Sequence, residues 1–274
     1  MHYKTIATAM AAAGVVVAQR PANTPICDYY TTALLKNNTG ANQYTLLTLL
    51  VNTVVIGNYT MPNVGVKVPG ILASGTYNGE NVNLLPYFNG ELASSNRGGS
   101  SGVSVNFLDG GGAAPLMKNM PANDDKSQQY GFASMYEVHK FMDLDENELG
   151  YFIQQVALAA ASFGVAQDDL KAVGTSLNQL FGLRCSPNAT AIPEQGSQLQ
   201  AICIADSCPI SPNATCASYQ PAVAPKNATA DGMNATATGS TPASTVTPST
   251  VPTAGAAVQG ISLALFAGVI ALCI

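Results

Sequence analysis

The chain has 274 residues, of which only 10% are Asp, Glu, Lys or Arg, and its formal net charge is −5. That acidic balance excludes a nucleic-acid binder held by phosphate contacts, and two histidines exclude a multi-histidine metal centre. No internal stretch reaches the ~20 apolar residues of a membrane span, and the middle of the chain holds too much Leu, Val, Phe and Tyr for a disordered protein.

Residues 1–18 read as a secretory signal peptide. Lys4 precedes an apolar run from Ile6 to Val17, and the small side chains of Val16 and Ala18 lead to a cut before Gln19. A glycosylated ectodomain is expected over 19–218. In its first segment Tyr44, Leu47, Val51 and Val54 recur at helical spacing up to Gly57, Asp28 is placed to cap a shorter helix through Lys36, and Asn37-Asn38-Thr39-Gly40 reads as a turn. From Tyr59 to Gly112 the chain is rich in Gly, Asn, Pro and Ser. No period decides there between loops with a small hairpin and short helices broken by Gly.

The late helices are expected at about 145–163 and 168–182. Asp143 and Asp145 are N-cap candidates, each with a Glu three residues on (Glu146, Glu148), the spacing of a capping box. Leu149, Phe152, Ile153, Val156 and Ala160 then share one face, and Gly164 ends the helix. Leu170, Val173, Leu177, Leu180 and Phe181 line a second helix, and the two form an antiparallel pair.

Cys185, Cys203, Cys208 and Cys216 mark residues 185–216 as a disulfide-stapled cap. Once Cys273 leaves with the C-terminal tail, Cys27 makes an odd fifth. Either Cys27 reaches across to the cluster and leaves another thiol free, or it is itself free. Residues 219–255 are dominated by Pro, Ala, Thr, Ser and Val and read as a disordered, O-glycosylated stalk. Residues 256–274 end in the apolar run Ile261 to Ile274. At about 1.5 Å per residue the run is short for a span, and no charge follows Asp231. This is the pattern of a GPI-attachment signal removed on maturation, with attachment within Ser249 to Gly255. Asn37, Asn58, Asn188, Asn213, Asn227 and Asn234 each begin an Asn-x-Ser/Thr sequon, which requires them to face solvent. The expected class is therefore mainly α: a single helical ectodomain with a Gly/Asn-rich irregular middle, a stapled cap and a stalk. The layout resembles that of fungal GPI-anchored cell-wall surface proteins.

Three constellations could carry chemistry. Gly98-Gly99-Ser100-Ser101-Gly102 spells G-x-S-x-G, with Asp109 or Asp124 and then His139 in hydrolase order. That motif works on a strand-turn-helix elbow, whereas a flexible loop is expected here. Asp124-Asp125 and Asp168-Asp169 are adjacent pairs that diverge on a helix or strand, unlike a glycosidase acid/base couple. His139 remains as the single histidine after the leader, in MYEVHKFMDLDENELGYF.

The stretch Met135 to Phe181 resembles the proximal half of truncated haemoglobins. His139-Lys140-Phe141-Met142-Asp143-Leu144 stands at the proximal motif and two helices follow in order. Upstream, Phe107-Leu108-Asp109-Gly110-Gly111-Gly112 with Pro115 resembles the family's glycine motif, and Leu84-Leu85-Pro86-Tyr87-Phe88 its Phe-containing turn. The resemblance implies a haem cofactor with His139 as axial ligand, Tyr44 as distal residue, and propionate partners among Arg97, Lys118, Lys126 and Lys140. Two functional expectations result. One is a non-catalytic structural or interaction glycoprotein on the outer face of the plasma membrane or cell wall, with the membrane (through its GPI lipid) and cell-wall polysaccharide as partners. The other is a haem-binding, globin-like ectodomain, and a serine hydrolase using Ser100 stands behind these two as a weaker alternative.

Overall fold

The structure is a computed structural model that describes residues 19–60, 63–98, 101–108, 134–191, 196–222 and 225. The leader, Ser100, Asp109, Lys118, Asp124-Asp125, Lys126, Asn227, Asn234, the length of the stalk past residue 225 and the C-terminal tail lie outside the described residues.

Two helices open the domain. Helix α1 (Ile26–Leu35) starts behind Pro25, so Asp28 sits in its first turn and does not cap it. Helix α2 (Gly40–Ile56) is capped by Thr39, whose hydroxyl accepts from the Asn42 N–H at 3.2 Å. Val51, Val54 and Val55 of α2 are buried, but Tyr44 is 49% exposed. The inward face thus begins at Leu47 and does not include Tyr44. Gly57 ends α2 at φ +82°, and a Cβ there would lie 2.6 Å from the Val68 carbonyl oxygen. The chain returns along this helix end, where Ile71 and Leu72 donate to the Val54 and Val55 carbonyls at 2.8 and 3.2 Å.

The middle is not irregular. It forms two antiparallel hairpins, β1 (Gly75–Tyr77) with β2 (Glu80–Val82), and β3 (Asn89–Gly98) with β4 (Ser101–Asn106). A 3-10 turn at Leu85–Tyr87 lies between them. The fold is therefore mixed α/β rather than mainly α, with five helices and two small sheets among the described residues. The β3–β4 register shifts repeatedly between Asn89↔Asn106 and Gly98↔Ser101. Bulges of that kind erase the strict alternation by which a strand is recognised.

Helix α3 (Met135–His139) is a short turn capped by Ser134. Helix α4 (Glu146–Ser162) opens with a complete capping box: Asp145 accepts from Asn147 and Glu148 N–H groups, and Glu148 accepts from the Asp145 N–H at 3.1 Å. Gly164, at φ +87°, follows its end. Helix α5 (Gln167–Phe181) packs against α4 and buries Leu170, Val173, Leu177 and Phe181. Phe181 is 1% exposed, and burying a side chain of that size contributes about 2–3 kcal/mol. The core joins these helices to Val82, Leu84 and Tyr87 of the middle and Ile202 of the cap.

Helix α4 carries a glycine in its second turn for a packing reason. A Cβ on Gly150 would run into the Tyr77 ring, 2.5 Å from its Cζ, and a Cβ on Gly75 would lie 2.6 Å from the Tyr151 ring. Each tyrosine thus occupies the space left by a glycine across the helix–hairpin contact. Gly150→Ala gains up to ~1 kcal/mol of helix propensity, but overpacking costs about 1–3 kcal/mol. The variant is expected to melt a few degrees lower, and the loss should shrink in a Tyr77→Ala background. A thermal melt in which Gly150→Ala is more stable than the parent would contradict this contact.

The cap is closed by the disulfides Cys185–Cys216 and Cys203–Cys208. All four cluster cysteines pair among themselves, so Cys27 does not reach the cluster and leaves no odd thiol there. Nor is Cys27 free: among the described residues no cysteine is. The cap is tied to the helices by Ile204 and Ala205, which donate to the Leu144 carbonyl, and by Ile202 and Cys203, which donate to the Phe181 carbonyl. Its contacts run past the boundary read at 218. The Tyr219 ring packs edge-on against Tyr136, its hydroxyl donates to the Ser186 carbonyl at 2.6 Å, and the Gln220 N–H donates to the Tyr136 hydroxyl at 2.8 Å. No described helix is long and apolar enough to cross a membrane.

Candidate functional site

His139 ends α3 and lines a cavity of about 70 Å³ between α3, α4, the end of α5 and the cap. Phe88, Met135, Met142, Phe152, Phe181 and Ile202 are among its apolar walls, and Glu148 is the other ionisable group on it. The His139 Nδ1 lies 2.7 Å from the Met135 carbonyl oxygen. The tautomer that donates there leaves Nε2 as an acceptor. Burial lowers the His139 pKa, outweighing the Met135 hydrogen bond that raises it, and the ring is held neutral.

Glu148 is pushed the other way. Burial, with the nearby Asp145 and Asp143 carboxylates, raises its pKa to about 7, against the lowering effect of the Asp145 N–H and the Tyr87 hydroxyl. Tyr87 itself donates to the Met142 carbonyl at 2.8 Å, and burial raises its pKa. Asp143 sits beside this group at φ +51°. Its buried Oδ1 has no hydrogen-bond partner among the described residues, and burial and the Asp206 charge raise its pKa. The cavity thus has a neutral imidazole and a carboxyl that titrates near neutrality in an otherwise apolar wall. Sequence reasoning read Glu148 only as a capping residue. The signal it lacked is the Tyr87 turn, which covers the helix start from 61 positions upstream.

The geometry does not fit a haem. Pockets for drug-sized ligands begin at roughly 300 Å³, and a haem needs more, whereas this cavity has about 70 Å³. Tyr44 is half exposed on α2 and is not a lining residue. Lys140 is committed to Glu137 at 2.7 Å and lies 5.4 Å above the Phe141 ring.

Of the other constellations, the described pair Asp168-Asp169 does not line this cavity. Ser100 lies outside the described residues, but its flanks are β3 and β4, paired from Gly98↔Ser101 onward. A hairpin stands where a loop was expected, and a strand follows where a nucleophile elbow needs a helix. Asp168 is exposed, while its neighbour Asp169 is buried in a structural network. In that network Arg20 donates to Asp169 Oδ1 through Nη2 at 2.7 Å and Nε at 3.0 Å, and Tyr30 donates to Oδ2 at 2.8 Å. The Tyr30 hydroxyl in turn accepts from the Ala166 N–H at 2.8 Å. Among the described residues no three His, Cys, Asp or Glu side chains gather as metal ligands.

The surface carries the remaining candidates. Asn37, Asn58, Asn188 and Asn213 are all exposed. Asn58 Oδ1 accepts from the Val68 N–H at 2.6 Å, a bond that does not use the amide nitrogen, the atom a glycan occupies. No protein-family model, curated protein or solved structure matches the chain.

Proposed function

We propose that the protein is a secreted, GPI-anchored glycoprotein of the outer plasma-membrane face or cell wall, whose ectodomain is a non-catalytic structural or interaction module. The observation that carries the reading is the surface: every described sequon asparagine is exposed. The paired cap cysteines support it, since such bonds persist in oxidising compartments. The leader before Gln19, the Ser/Thr/Pro stretch beyond Gln220 and the uncharged apolar tail complete a secretory and anchoring layout. The lipid would hold the ectodomain to the bilayer, and the stalk would carry it outward towards wall polysaccharide.

Two treatments test this. Phosphatidylinositol-specific phospholipase C applied to intact cells should release the protein into the medium. Endoglycosidase treatment of the released protein should then lower its apparent mass in steps, and Asn→Gln variants at 37, 58, 188 and 213 should each remove one step. Protein that leaves the membrane only in detergent after the phospholipase retains its tail, and protein indifferent to endoglycosidase is not N-glycosylated; either result defeats the corresponding half of the reading.

A further inference from the structure

We infer that the mature chain begins with pyroglutamate at position 19, formed by cyclisation of Gln19 once the leader is removed; this rests on the secretory reading above. A cut after Ala18 makes Gln19 the new first residue. Gln19 is exposed. The next residue is not free to move, because the Arg20 guanidinium holds Asp169 through Nη2 and Nε and donates from Nη1 to the Thr24 carbonyl oxygen. The new terminus is therefore fixed to the domain at Arg20 and sits at an exposed residue.

The chemistry needs no partner molecule. An α-amino group has a pKa near 7.7–8.0, so part of it is the neutral nucleophile at physiological pH. Its nitrogen attacks Cδ of the Gln19 carboxamide, a C–N bond closes a five-membered lactam, and the amide nitrogen departs as ammonia with the proton the amine gives up. Nothing is oxidised or reduced. The product carries no terminal charge. An uncyclised terminus would place an ammonium one residue from the Arg20 guanidinium, where it competes for the Asp169 carboxylate and repels its neighbour. Cyclisation leaves the Arg20–Asp169 pair without a competing ammonium beside it and denies aminopeptidases a free amine.

The test uses the full chain secreted from a eukaryotic host, with mass spectrometry of its N-terminal peptide. The expected peptide starts at position 19, is lighter than the Gln19 form by one ammonia, resists Edman degradation, and yields an Arg20 start after pyroglutamyl aminopeptidase. A Gln19→Ala chain, which cannot cyclise, should start at the same position with a free amine. A peptide starting at Gln19 with a free amine overturns the inference and leaves the secretory reading standing. A start at another residue downstream of the leader's apolar run overturns the inference and moves the cut. A chain that keeps Met1 overturns both.

Discussion

Asp169→Ala is expected to lower the unfolding free energy by about 2–3 kcal/mol. Removing one partner of a buried ion pair costs about 3–5 kcal/mol because the other charge is left uncompensated. The discount reflects side-chain exposures of 8% for Asp169 and 19% for Arg20. The substitution strands two donors, Arg20 and the buried Tyr30 hydroxyl, and Tyr30 also receives the Ala166 N–H at the start of α5. Asp169→Asn should lose less, since its amide oxygen still accepts from Tyr30. The pair also has a pH signature. Burial raises the Asp169 pKa, but the Arg20 and Tyr30 hydrogen bonds outweigh it and hold the carboxyl below its ordinary value of 3.8. A folded-state pKa below the unfolded one gives stability that is present above 3.8 and is lost as the pH falls through the lower folded value. Urea titrations at neutral pH and in acid should show the Asp169→Ala deficit shrinking in acid. A deficit that is the same at both would mean that the charge plays no part.

Glu148→Gln is expected to change stability in the opposite sense and in a different pH window. The folded pKa of about 7 lies above the ordinary 4.5, so between those values the folded state holds more protons than the unfolded state. Stability from this group is full below pH 4.5 and is lost as the pH rises through 7, to a ceiling of about 3 kcal/mol. Glutamine keeps the capping box, because its carbonyl oxygen accepts from the Asp145 N–H as the carboxylate does. The variant should therefore match the parent near pH 4 and exceed it at pH 8. Asp143 contributes in the same sense as Glu148, and His139, with a lowered pKa, in the reverse. Both are present in parent and variant, so the difference between the two urea midpoints reports Glu148 together with its coupling to Asp143 and Asp145. Midpoints that differ by a constant from pH 4 to pH 8 would show that Glu148 is not titrating in the cavity wall.

Local chemistry was legible in the sequence, and distant pairing was not. The Asp145–Glu148 capping box, the Gly57 and Gly164 helix ends and the Leu170–Phe181 face follow from spacings within a few turns, and the structure places them there. Asp143 and Asp145 had equal claims to the cap. The structure decides between them: Asp143 has a positive φ, whereas Asp145 has the extended backbone of a cap and makes both capping-box bonds. The hairpins were hidden for two reasons: β1 and β2 are three residues each, and β3–β4 is bulged. Arg20 and Asp169 stand 149 residues apart, so nothing in either neighbourhood announces the other. Disulfide partners were equally hidden, since four cysteines allow three connectivities. The cavity was half legible: His139 stood out as the lone histidine after the leader expected at 1–18, but the cavity's size and Glu148 depend on how the cap and the Tyr87 turn close over α4.

The Cys185–Cys216 bond has a mechanical consequence. Tension applied to the chain beyond Gln220 meets Tyr219 and then Cys216, and the covalent bond hands that load straight to Cys185, just past the end of α5. The intervening loop, which carries Asn188 and Asn213, is bypassed. A pull on the chain beyond Gln220 would therefore reach the end of α5 through one covalent link, with the residues between Cys185 and Cys216 carrying none of the load.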